Sequence, residues 1–316
     1  MDIVSVLAPD AIPSIDDPQF DDEYLGDEDD DVIVIDASPV RAYPVRILNF
    51  HEIVNDVVDG NPIAVTWCPL CASAVVYDRR IDGRQLSFGV SGKLADDDLV
   101  MYDRETGSEW KQSLGVCIAG EFEGSQLEVL PASMMTWGRF THEYPAGIVL
   151  QPDDSMSEAA SDDDQPAPVD YSMDPYNAYF ESSGIGLAAH RGEANNRTWQ
   201  RKDIHPKEIV LGIEYDGEAI GVPLNALEHA GGFAEIDIGT TSVIAIVVDG
   251  APYVYEHPGF EIEYVDGRLR GDGTSWDPVT GSGADGRQLD RAPTRRMFAF
   301  TWQDDYGPDA FFDQTG

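Results

Sequence analysis

Two cysteines stand two residues apart in Trp67-Cys68-Pro69-Leu70-Cys71, in a chain that holds only three cysteines among 316 residues. Thiols at this spacing can share a metal ion or close into a small disulfide ring, since a tight turn brings both sulfurs to one side of the backbone. A closed structural zinc site needs two more ligands, normally another CxxC or paired histidines. The chain has no second CxxC, and Cys117 sits alone in the apolar run 115–119, where it reads as a small buried hydrophobe.

His51, in His51-Glu52-Ile53-Val54-Asn55-Asp56, lies just before the strand that leads to Cys68 and is the candidate third ligand. Cys68, Cys71 and His51, with a soft fourth group such as Met101 or an open position, suit copper or zinc better than iron. Two other uses of the pair stay open. A thiol-disulfide couple needs only the CxxC itself, and a nucleophilic cysteine would take His51 as its base. Around the turn, Met101, Asp103, Trp110, Gln112 and Trp137 set polar groups among aromatics and are candidates to line a pocket facing the thiols. The competing reading of these residues is an aromatic core with a buried Asp-Arg pair. The glycine-rich stretch 271–286 carries no P-loop or dinucleotide fingerprint, so no nucleotide cofactor is expected.

The elements that must position these groups are mostly strands. Runs 63–67 and 74–77 flank the CxxC turn as β-branched and aromatic segments, and 86–90 and 99–102 continue the pattern. Asp82-Gly83 and Glu123-Gly124 are hairpin signals. The best helical candidate is 46–58, with Ile47, Phe50, Val54 and Val57 at three- and four-residue spacing. The expected fold class is mostly β, a β-rich α+β arrangement with few short helices.

An acidic, proline-bearing stretch, 151–175, reads as a linker between an N-terminal domain, 1–150, and a second one, 176–316. The two halves share landmarks in the same order. Strand 32–35 with Ala42-Tyr43-Pro44-Val45 is echoed by 210–213 with Gly221-Val222-Pro223-Leu224. Ser91-Gly92-Lys93-Leu94 is matched with Asp266-Gly267-Arg268-Leu269, and Asp103 with Thr106-Gly107-Ser108 is matched with Asp277 and Thr280-Gly281-Ser282. Thr136-Trp137 is matched with Thr301-Trp302. This predicts two tandem antiparallel copies. The second copy has no cysteine where the first has its pair, so the cysteines serve chemistry rather than folding.

Composition sets the solvent and excludes partners. The chain carries 59 acidic against 20 basic side chains, a formal net charge of -39, and lysine occurs only at positions 93, 111, 202 and 207. Such charge excludes nucleic-acid binding through backbone attraction and disfavours anionic membranes. With 42% hydrophobic residues the chain still builds a core. The pattern predicts a soluble, salt-adapted cytoplasmic protein, because molar salt shortens the screening length to ~3 Å. The acidic surface also admits a homo-oligomer or a structural assembly with no catalytic site.

Residues 12–18, His51-Glu52-Ile53-Val54-Asn55-Asp56, Cys68-Pro69-Leu70-Cys71, Phe88-Gly89-Val90-Ser91-Gly92 and Met101-Tyr102-Asp103 together resemble a CPLC-motif family of proteins with a domain of unknown function, frequent in haloarchaea. The resemblance implies a high-salt setting and the pairing of the His51 segment with the CPLC turn. It implies no activity.

Overall fold

The computed structural model describes residues 1–161, 165–193 and 197–312. Asp162, Asp163 and Asp164 of the expected linker lie outside them. The described chain is mostly β, with short helices, as the sequence predicts. Two packed sheets position the site.

The first sheet runs in the order Glu218–Pro223, Ile209–Tyr215, Arg295–Phe298, Ser73–Asp78, Asn61–Cys68, Ile53–Val58. Asn61–Cys68 and Ser73–Asp78 form the cysteine hairpin, with Ile63 facing Asp78 and Cys68 facing Ser73. All of 62–68 and 73–78 are buried, which fits near-continuous apolar runs in a covered central position. Strand Arg295–Phe298, from more than 200 positions later in the chain, joins this hairpin at Arg296 opposite Ala74. The second sheet, Ile3–Ser5, Phe88–Ala95, Asp98–Asp103, Glu109–Lys111 and Val116–Ala119, packs across it.

Side-chain hydrogen bonds lock the two sheets together. Asn55 accepts from the Phe88 amide at 2.9 Å and donates to the Phe88 carbonyl at 2.8 Å. The Gln112 amide donates to Thr66 Oγ1 at 2.7 Å, and the Tyr77 hydroxyl donates to the Gln112 carbonyl at 2.6 Å. Four bonds satisfy buried polar groups that would each cost ~1–3 kcal/mol unpaired. Between them lie Trp67, Val75, Tyr77, Phe88, Met101 and Trp110, all in one core cluster.

The helix expected over 46–58 is shorter. It spans Val45–His51, and Ile53–Val58 is a strand paired with 61–66. Glu52 takes φ 58°, which ends the helix, and Asp59-Gly60 at φ 50° and φ 82° forms the tight turn that returns the strand. The three- and four-residue spacing therefore mixed a helical face with a β-branched run.

Residues expected as linker pack against the first half. The Ser157 hydroxyl donates to the Phe50 carbonyl at 2.7 Å, and Tyr171 is buried against Phe50 and His51. In the second half, Phe233–Ile238, Thr241–Val248 and Ala251–Glu256 form a three-stranded meander.

Candidate metal centre

Cys68 is the last residue of its strand, and the turn 69–72 folds Cys71 back beside it. The Cys71 amide donates to the Cys68 carbonyl at 3.2 Å, and Ala72 closes the turn in the left-handed region at φ 44°. Asp98 opens the strand Asp98–Asp103 immediately after the turn made by Asp96 and Asp97, at φ 54° and φ 68°. That turn points at the cysteines. The carbonyl of Asp97 lies 3.4 Å from Cys71 Sγ and 4.0 Å from Cys68 Sγ.

The packing of one sheet on the other thus brings Cys68, Cys71 and Asp98 together, with one ligand atom from each inside a 4.8 Å group. All three are buried. Asp98 Oδ2 accepts from the Ser113 amide at 2.8 Å, while Oδ1 is buried with no hydrogen bond. A buried carboxylate oxygen without a donor is costly unless something else satisfies it. The buried Thr301 hydroxyl faces Cys71 from the helix Ala299–Tyr306.

Electrostatics favour neutral thiols when no ion is bound. Burial pushes the Cys68 thiol up and the Cys71 thiol well up from the ordinary cysteine range, with Asp98 adding repulsion. Burial also pushes the Asp98 carboxyl up to about 6, opposed by Lys111. A divalent ion inverts this logic, because thiols give up their protons when they ligate. Two thiolates, one carboxylate and a dication would leave one negative charge, beside the Lys111 ammonium. The donor set S2O fits a borderline or soft transition ion with one position open for an outside ligand.

The structure places His51 outside this group. Its Nδ1 lies 3.0 Å from the Pro13 carbonyl and so donates there, and its Nε2 meets the Tyr171 hydroxyl at 2.6 Å. Both ring nitrogens are used, which leaves no lone pair for an ion. Met101 is core, paired across the ladder with Trp110. Asp103 accepts from Trp110 Nε1 at 3.0 Å and from Thr106, closing a turn rather than a pocket. Gln112 sits behind the cysteine hairpin through Thr66 and the Ser73 carbonyl. Trp137 belongs to a second core, stacked on Phe140 at 5.3 Å.

Sequence reasoning missed Asp98, Ser113, Lys111 and Thr301 at this site. Asp98 stands in Asp96-Asp97-Asp98, where one acid among 59 carries no local signal. It also missed Glu52, which borders a cavity of 410 Å³ whose wall includes Cys68, Pro69 and Leu70.

A family model for proteins of unknown function, DUF3179, matches residues 9–315. The chain belongs to the DUF3179 family. No curated protein and no solved structure matches it. For this DUF3179 chain the chemistry therefore rests on its own geometry. Among the described residues, no helix is long and apolar enough to cross a membrane.

Proposed function

We propose that this DUF3179 protein binds one transition-metal ion through Cys68, Cys71 and Asp98. The observation that carries the reading is the meeting of two thiols and a carboxylate, one oxygen of which is buried without a donor. Copper or zinc suits the two sulfurs better than iron, and the three protein ligands leave a coordination position open. Ser113 would orient the carboxylate through its amide, and Thr301 would stand over the Cys71 sulfur.

Elemental analysis of protein purified without added chelator tests this. About one ion per chain is expected, retained by His51→Gln and lost by Cys68→Ser/Cys71→Ser and by Asp98→Asn. Equal metal content in all four proteins would end the reading.

The close approach of the two sulfurs also supports a dithiol couple. Their burial and raised ionisation argue against it, since the thiolate is the attacking species.

We also propose that the two halves are tandem copies, of which only the first keeps the site. Parallel local geometry supports this. Pro44 and Pro223 both precede a short helix whose last residue is a histidine, His51 or His229. Asp103 and Asp277 make the same turn: Gly107 donates to the Asp103 carbonyl at 2.8 Å, and Gly281 to the Asp277 carbonyl at 2.8 Å. The two hairpins differ in their turns, 69–72 against Asp249-Gly250, so the cysteine turn is two residues longer. We read the acidic, lysine-poor composition as adaptation to a salt-rich cytoplasm.

A further inference from the structure

The 410 Å³ cavity beside Cys68 falls within the range of small-molecule sites, about 300–1,000 Å³. Val6, Leu7, Ile12, Leu70, Val90 and Leu99 give it apolar walls. Glu52 borders it, only 8% exposed, and none of the described residues gives its carboxyl a hydrogen bond or an ion pair. Its backbone is held at φ 58°, a left-handed conformation rare for a side chain of this size. The amide of Glu52 donates to the Leu48 carbonyl at 2.8 Å, and its carbonyl accepts from Trp67 at 2.8 Å, so strain and anchoring together fix the side chain on the wall.

The surroundings of Glu52 select a charge. Burial, with repulsion from Glu158 and Asp98, pushes the Glu52 carboxyl up to about 8, so it gives up its proton when a cation enters beside it. Tyr176, stacked on His190 at 4.9 Å, lines the same cavity. Of the cations on the lining, Lys93 is tied to Glu109 at 2.5 Å and Arg191 is exposed to solvent. Burial pushes the His190 imidazole below its ordinary range, which favours the neutral ring. An unpaired buried carboxyl, flanked by acids and an aromatic ring, gains most from a cation that lets it ionise, and so is complementary to an organic cation with an apolar body.

We propose that this cavity binds a small primary ammonium compound, with its cationic head on Glu52 and its alkyl or aryl body against the apolar walls. The site stands whether or not an ion occupies Cys68, Cys71 and Asp98.

Calorimetric titration at molar salt with benzylammonium, benzyl alcohol and benzoate tests the assignment on the unaltered protein. Benzylammonium is expected to bind at least tenfold more tightly than either isostere. Glu52→Gln is expected to abolish that preference while retaining the weak binding of benzyl alcohol, which reports an intact cavity. Benzoate binding as tight as benzylammonium, no binding of benzylammonium, or an unchanged preference in Glu52→Gln would each overturn it. Metal content measured on the same samples separates failure here from failure of the metal reading.

Discussion

Lys111 Nζ lies 2.6 Å from Asp305 Oδ1, and neither side chain reaches solvent, at 2% and 0% exposure. Burial pushes the Asp305 carboxyl up, while Asp305, Asp98 and Asp96 raise the ionisation of the lysine against its own desolvation. A buried pair of this kind ties the strand Glu109–Lys111 to the helix Ala299–Tyr306 across the back of the candidate metal centre.

Lys111→Met should therefore destabilise by about 3–5 kcal/mol, because it strands a buried carboxylate. Replacing both partners, Lys111→Met with Asp305→Leu, should recover much of the loss. Denaturant melts of the two singles and the double read the coupling directly. Strict additivity would show that the pair is not an energetic unit.

His51 offers a pH signature. Burial pulls its ionisation below the ordinary value of 6.5. The folded imidazole thus stays neutral in the window where the unfolded one takes a proton. The unfolded state binds more protons there, so stability falls as the pH drops below that ordinary value. As the pH drops from ~7 to ~5 the unfolding free energy should fall more steeply for the native protein than for His51→Gln. Identical pH slopes would contradict the assignment.

The buried thiols should resist modification. Alkylation of Cys68 and Cys71 in folded protein should run on the order of 100-fold slower than in denaturant, since reaction needs local opening. Mass spectrometry after timed labelling measures it. Fast native labelling would favour the redox reading instead.

A tight approach tests the second half. Gly212 and Gly221 pair across two strands, and a Cβ on Gly212 would lie 2.0 Å from the Trp302 ring. Gly212→Ala should cost ~1–3 kcal/mol through overpacking. Adding Trp302→Leu should restore part of it in thermal melts.

How far the sequence could be read depended on the range of the interaction. The cysteine hairpin was legible because β-branched runs and a turn are neighbours in the chain. The Thr-Trp match was not reliable. Thr136 caps the helix Trp137–Glu143, whereas Thr301 and Trp302 are the third and fourth residues of the helix Ala299–Tyr306. His51 looked like a ligand from its place before the strand, but its partners are Pro13 and Tyr171, far away in sequence. Asp98 became visible only when sheet packing set it against the turn. Composition in so acidic a chain hides any one carboxylate.

The strand Arg295–Phe298 bears on the order of events in the cell. The Phe298 amide donates to the Cys71 carbonyl at 2.8 Å, and Arg296 reaches the Ala72 carbonyl at 3.3 Å. During synthesis the thiols are made more than 220 residues before those groups exist. Until then the CxxC turn lacks the strand that covers its Cys71 and Ala72 carbonyls. Only after residue 298 has been made can this strand close over the cysteine turn.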